Sequence, residues 1–470
     1  MRKILLGTTA VVGAALLAPT MAAAQEAPTV RVGGYFRAYY GYTQQTSPHS
    51  TGLISPTQAS AGTGTATSPL VGFPAAGATG AGQFAGTPAS VRTGKHDFST
   101  DAEIHVFVNG KTANGLTYGA VVELQFDNNE GTYRPARRSF TTKTMADIDE
   151  MYAFVASPTL GQLRFGDEDG PFGGLMNAGI VTNFGTGGVY GDWQDFVIRP
   201  NRTTTSPGDV GDNTKIIYLS PQFFGFDFGA SWAFNEGEGG DTGCVQDFAG
   251  PFCERAYAST GVTTFGRGNN SIPTRRNEYQ AMARWRGNAG PVGLAVSGGI
   301  LGATSVRELT VTGTQVKALR DPFLWQAGVQ ATAFGFTLGA NYMRGNTNFF
   351  YIPTTRGDKE LEQFFVGASY TVGPVTLGAN ALWGTYAGAA GFTFNTTTGL
   401  LASTAARQGQ RRYAYSVGAN YRLAPGFDIV AEWVRHTIHE RGVDSDLQPN
   451  NGVQSKLRAN VFLLGTRLAF

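Results

Sequence analysis

The chain has 470 residues, a formal net charge of +2, only 15% charged residues, and abundant Gly (65), Phe (32) and Tyr (18). The near-neutral balance argues against a nucleic-acid partner, and the scarcity of Lys-, Glu- and Leu-rich stretches argues against a mainly helical protein. Composition leaves two exported architectures open, a β-barrel and a β-solenoid.

The first element is a targeting segment. Arg2 and Lys3 precede an apolar run from Ile4 to Leu17, and Ala22-Ala23-Ala24 forms a small-residue cleavage site. Residues 1–24 read as a secretory signal peptide with Gln25 as the expected mature N-terminus. No later run reaches the ~18 apolar residues of a membrane-spanning helix.

Strand periodicity begins at Val30. Val30, Val32, Phe36, Ala38, Tyr40 and Tyr42 share one parity, and Arg31, Tyr35, Arg37 and Tyr39 the other. In a strand these are opposite faces, one apolar and one carrying the arginines. The same division recurs along the chain. Phe98, Ala102, Ile104, Val106 and Val108 oppose Ser99, Asp101, Glu103 and His105; Leu116, Tyr118, Ala120, Val122, Leu124 and Phe126 oppose Thr117, Glu123, Gln125 and Asp127. Phe226, Phe228, Ala230 and Trp232 oppose Asp227 and Ser231; Tyr279, Ala281, Ala283 and Trp285 oppose Glu278, Gln280, Arg284 and Arg286. Later segments set Tyr342, Phe364, Tyr415, Tyr421 and Trp433 against Asn341, Gln363, Arg412, Asn420, Arg422, Asp428 and Glu432. Asp147–Ala156 and Leu457–Gly465 are apolar on both parities, which leaves their register open.

A soluble sandwich would also alternate. Two features favour a membrane barrel. The apolar parity begins and ends with aromatic residues, as interfacial girdles require, and the connections alternate between short turns and long polar segments. The long ones lie near 43–97, 128–146, 167–213, 235–276, 302–320, 344–360, 385–410 and 436–455. Eight long and seven short connections imply about sixteen strands, all-β and antiparallel, in a single barrel over 25–470. The segment 43–97 is low-complexity and nearly chargeless, and reads as a surface loop. A barrel of ~16 strands leaves a water-filled channel, and the polar parity then lines it. The expected wall residues are Arg31, Arg37, Asp101, Glu103, Glu123, Asp127, Arg164, Lys215, Arg284, Arg412 and Arg422. Charge on the lipid side would cost ~2–4 kcal/mol at the midplane.

Three sequences then carry a resemblance. Asn213 to Trp232, with Tyr218-Leu-Ser-Pro221 and Phe224-Gly-Phe226, resembles the strand–turn–strand of general Gram-negative porins. Ser157-Pro-Thr-Leu-Gly-Gln-Leu-Arg-Phe-Gly166 is similar to the family's approach to its constriction loop. The terminal Gly465-Thr-Arg-Leu-Ala-Phe470 resembles the signal read by the barrel-assembly machinery. The resemblance implies an outer-membrane homotrimer passing small hydrophilic solutes, with the third extracellular loop folded inward and its acids facing basic wall residues. Here those acids would be Asp167, Glu168, Asp169, Asp192 and Asp195. The family commonly has Arg where this chain has Asp167, so the basic wall must come from elsewhere.

Other chemistry is weak. Cys244 and Cys253 sit in a Gly/Asp-rich stretch without a nearby His, and read as a loop disulfide rather than zinc ligands. Asp167-Glu168-Asp169 lacks the spacing of a calcium loop, His436 and His439 before Glu440 do not form H-E-x-x-H, and no catalytic or phosphate-loop motif occurs. No enzyme activity, metal or cofactor is expected. A substrate-selective channel for sugars, phosphate or carboxylates, and a surface adhesin, remain as alternatives. A 22-stranded transporter does not fit, since the chain has no separate plug domain.

Overall fold

The computed structural model describes residues 27–45, 95–126, 147–197, 212–235, 244–247, 250–253, 275–305, 320–348, 353–354, 356–388, 391–395, 400–405, 409–440 and 455–470. The signal segment, most of the first loop and Asp127 lie outside them. The strands are β1 (Thr29–Gln45), β2 (His96–Lys111), β3 (Thr117–Gln125), β4 (Asp147–Ser157), β5 (Gly161–Asp167), β6 (Thr214–Leu219) and β7 (Phe226–Asn235). They continue with β8 (Cys244–Asp247), β9 (Gly250–Cys253), β10 (Arg275–Ala289), β11 (Val292–Ser305), β12 (Phe323–Ala333), β13 (Phe336–Gly345) and β14 (Leu361–Val372). The last are β15 (Val375–Tyr386), β16 (Gly391–Asn395), β17 (Leu400–Ala405), β18 (Gln410–Ala424), β19 (Phe427–Glu440) and β20 (Ser455–Ala469).

Sixteen of these strands close into one antiparallel barrel, each paired with its neighbours in chain order. The exceptions are the hairpins β8–β9 and β16–β17, which lie within the fourth and seventh long connections. Closure is made by β1 against β20, with Tyr35 opposite Ala469, and Gly34 and Phe470 exchanging backbone hydrogen bonds of 3.0 and 3.1 Å. A closed sheet leaves no unpaired edge, the condition for placing strands in hydrocarbon. All sixteen expected barrel strands are present.

The apolar parity points outward. Phe36, Phe98, Phe165, Trp232, Leu338, Val417 and Phe462 are all exposed on the barrel exterior, where lipid rather than water would meet them. Aromatic pairs across adjacent strands, Trp325–Tyr342 and Phe336–Tyr370, have ring centroids 5.2 and 4.3 Å apart. At the short-turn rim, Phe224-Gly225 and Phe334-Gly335 both have positive φ at their two residues. That pair of angles suits a tight hairpin whose twist matches its strands.

The two segments of open register have different explanations. In β4 the pairing shifts between Val122/Leu124 and Met151/Ile148, so an extra residue is accommodated on β4. The bulge puts both Ile148 and Met151 on the outside and Glu150 inside. In β20 the register is regular, and Ala459, Val461 and Leu463 face inward while Phe462 and Leu464 face out. The inner three are apolar because they are covered by a segment inside the barrel, residues 168–197.

Candidate pore constriction

The third long connection leaves β5 at Asp167 and re-enters the sheet at Thr214. Its acidic start is tied to the wall. Thr214 donates a hydroxyl hydrogen bond to Asp167, Arg164 pairs with Glu168 at 2.8 Å, and the Lys215 ammonium donates to the Glu168 carbonyl. Asp167, Glu168 and Asp169 are accordingly buried. The basic partner that the Asp167 position lacks is supplied three residues earlier, by Arg164.

A short turn at Pro171–Leu175 then seats Phe172, fully buried, with Met176 among Met282, Leu301, Leu324, Met343 and Leu361. These wall residues lie on the inward parity. The inner surface is therefore apolar where the segment lies on it, a departure from a uniformly charged lumen.

From there the segment follows the inner wall, held by a polar side chain from almost every strand it passes. Gln280 of β10 accepts from the Phe172 amide at 3.0 Å, and Ser297 of β11 accepts from Ala178 at 2.9 Å. Gln326 of β12 donates to the Phe172 carbonyl, and Asn341 of β13 to that of Ala178 at 3.3 Å. Gln363 of β14 donates to the Tyr190 hydroxyl at 2.6 Å. Asn380 of β15 donates to the Val181 carbonyl and accepts from the Val189 amide, each at 3.0 Å, and Asn420 of β18 accepts from the Gly185 amide. Neutral amides suit this role because one side chain can both donate and accept along a backbone.

Wall glycines make the close approach possible. A Cβ on Gly328 would overlap the Ala178 carbonyl, and one on Gly378 the Phe184 ring. These glycines make room for the inner segment.

The end of the run is fixed twice. The carboxylate of Glu432 on β19 accepts from the amides of Thr186, Gly187 and Gly188 and from the Thr186 hydroxyl, at 2.8 to 3.2 Å. Gly185, Gly187 and Gly188 all have positive φ, which turns successive amides toward one point. Beyond it, Asp192 meets Arg37 of β1 at 3.2 Å, and Arg37 also pairs with Asp101 of β2. Trp193 and Phe196 pack on Tyr39, Val430, Val434, Val461 and Leu463. Truncating a side chain as buried as Trp193 costs ~3–5 kcal/mol. Asp195 sits in the same turn, partly buried.

The pinning strands run from β10 to β19 and on to β1. The inward side chains of β2–β5 include Glu103, His105, Glu123, Glu150, Tyr152 and Arg164. Toward the short-turn rim the charges gather in cross-strand sets. Asp227 pairs with Arg284 and Arg286 at 2.7 and 2.8 Å, and Asp428 with Arg467 and Arg422 at 2.8 and 3.7 Å. Arg31 stacks 4.7 Å from the Phe107 ring, and Arg412 is buried against Gln410, 5.4 Å from the Tyr386 ring. Beneath Val181–Thr186 a cavity of about 530 Å³ is lined by Arg37, Tyr39, Asn420, Arg422, Asp428 and Arg467.

Sequence reading put Arg37 and Arg164 on the wall and Asp192 and Glu168 on the third loop without pairing them, and the structure joins Arg37 to Asp192 and Arg164 to Glu168. It did not single out Ser297, Gln326 or Asn380. Their signal was a run of neutral hydrogen-bonding residues on the inward parity of consecutive strands.

Residues 7–437 match the family model of the Gram-negative porins. Among solved structures, the anion-selective porin from Comamonas acidovorans aligns over 94% of this chain and 100% of its own, at 12% identity and a TM-score of 0.51. The outer membrane channel DcaP of Acinetobacter baumannii aligns over 94% and 97%, at 11% identity and a TM-score of 0.49. A loop-deletion form of OmpT from Vibrio cholerae aligns over 95% and 100%, at 12% identity and a TM-score of 0.47. No curated protein matches the chain in sequence. The fold is that of a channel, and the chain belongs to the Gram-negative porin family.

Proposed function

We propose that this outer-membrane porin passes small hydrophilic solutes and ions by diffusion, through an opening bounded by residues 168–197 on one side and the β2–β5 wall on the other. The carrying observation is the inner segment itself, pinned strand by strand and ending in the Arg37–Asp192 pair. Such a segment narrows the lumen without filling it from all sides. The opposed charges Arg37 with Asp192 and Arg164 with Glu168 set a local field that orients dipolar solutes and disfavours apolar ones.

Planar-bilayer recording of the purified protein should give ohmic steps that scale with KCl concentration. A folded, heat-modifiable barrel that gave no steps would overturn the reading. Current that saturates, and is blocked by one sugar or carboxylate, would instead favour a substrate-selective channel.

The mature assembly follows from the same reading. The protein is a homotrimer of chains beginning at Gln25. Cys244 and Cys253 stand opposite each other across the β8–β9 hairpin, and we assign them a disulfide. Native mass spectrometry should give three mature protomers, each lighter by two hydrogens until reduced. A monomer, a retained leader or two alkylatable thiols would each refute its part. Phe470 ends the strand that closes the barrel and offers an exposed ring, the feature the assembly machinery would read. Deleting Phe470 should lower the folded fraction in the outer membrane several-fold on a heat-modifiability gel, and an unchanged fraction would argue against that role.

A further inference from the structure

The antiparallel register of β2 and β3 sets His105 directly opposite Glu123, and Glu103 precedes His105 by two residues on the same inward face. His105 Nε2 lies 2.9 Å from a Glu103 carboxylate oxygen, and Nδ1 lies 3.6 Å from one of Glu123. One donor atom from each of the three side chains falls within 4.8 Å of the others. Both carboxylates are buried, while the His105 side chain keeps 22% of its surface open.

This arrangement asks for a cation. A neutral imidazole carries one proton, so with a carboxylate oxygen at each nitrogen, one contact sets lone pair against lone pair. Either a second ring proton or a metal ion at the three donors would relieve it. The surroundings favour the metal. The Tyr35 hydroxyl donates to the second Glu103 oxygen, the outer-shell bond that orients a carboxylate ligand. The His105 ring is held edge-on between Tyr35 and Phe107, with centroids 6.3 and 6.0 Å away. One imidazole with two carboxylates is a donor set for a first-row divalent ion such as zinc rather than for calcium or magnesium, which take oxygen donors throughout.

We propose that Glu103, His105 and Glu123 form a divalent transition-metal site in the lumen wall, with a fourth position left to water. The site lies on the inward face of β2 and β3, so a bound ion would cancel the charge of two wall carboxylates. Metal binding stands on the three side chains alone; its effect on current also rests on the channel reading.

The experiment is calorimetric titration of the detergent-folded full-length trimer with zinc chloride, with magnesium chloride as the comparison, followed by bilayer recording with and without zinc. Saturable zinc binding near one ion per protomer is expected, weakened at least tenfold in His105→Ala and Glu123→Gln and absent with magnesium. Zinc should shift the reversal potential toward anions in the wild type, and shift it far less in either variant, each measured against its own metal-free trace. Heat-modifiability on a gel confirms that each variant is folded. No saturable binding, which would mean that a proton satisfies the ring, overturns the site. So does zinc binding that survives both variants. Binding without any change in current would leave the site standing and count against the lumen position of this wall.

Discussion

Glu432→Ala is expected to give a channel with larger mean conductance and strong open-channel noise. One carboxylate holds four donors of the inner segment, three of them consecutive backbone amides. Alanine leaves the Thr186 and Gly188 amides and the Thr186 hydroxyl without this acceptor, at ~1–3 kcal/mol for each group that water cannot reach, while the Gly187 amide keeps the Phe184 carbonyl at 3.0 Å. A net loss of ~3 kcal/mol lowers the docked-to-released ratio of the segment by about 100-fold. Asn420 and Asn380 still hold the Gly185 and Val189 amides on either side, so movement should be confined to the stretch between them. Glu432→Gln keeps one acceptor oxygen and should lie between wild type and alanine. Single-channel recording decides it, and a quiet Glu432→Ala trace of wild-type amplitude would show that this carboxylate does not set the width of the opening.

The second large effect is expected from Arg37→Ala, as a shift of selectivity toward cations. Arg37 is 5% exposed and joins Asp101 on the wall to Asp192 on the inner segment, with its guanidinium also 4.2 Å from the Tyr35 ring. Removing one partner of a buried ion pair leaves uncompensated charge, typically at ~3–5 kcal/mol. Relief comes when the segment retreats or when water and mobile cations enter, and both outcomes make the opening more negative. Reversal potentials in a KCl gradient should therefore move toward the potassium limit. Asp192→Asn should move them the opposite way, and the double variant should fall between, with the difference from additivity measuring the coupling. An unchanged reversal potential in Arg37→Ala would remove this pair from the permeation path.

The barrel was legible because lipid enforces a rule at every outward position, so that Phe36, Ile104, Trp232 and Phe364 declare one parity. The long–short alternation of connections then supplied strand number. Two places resisted. In β4 the bulge moves the apolar residues from even to odd positions, and nothing local in Ile148-Asp-Glu-Met151 announces it. In β20, Val461 and Leu463 look outward-facing because their cover, Trp193 and Phe196, is more than 250 residues away in the chain. The site was half visible for the same reason. Charged residues such as Arg37 and Asp192 draw notice in any sequence, but Ser297, Gln326 and Asn380 look like ordinary wet-lumen residues until the backbone they hold is known. The cation cluster was invisible to motif spacing, since cross-strand register and not sequence interval joins Glu123 to His105.

The carboxylate that holds the inner segment belongs to the penultimate barrel strand, whereas the segment departs from the fifth. The lock at Thr186–Gly188 thus spans about 245 residues and cannot form until β5 and β19 stand in one sheet. Part of the packing beneath Trp193 is supplied by β20. Narrowing is thereby coupled to completion: a sheet lacking either β5 or β19 would have no lock at Thr186–Gly188, and only the finished ring can bring it into place. The segment proposed to bound the opening is thus also a test of whether the wall around it has been completed.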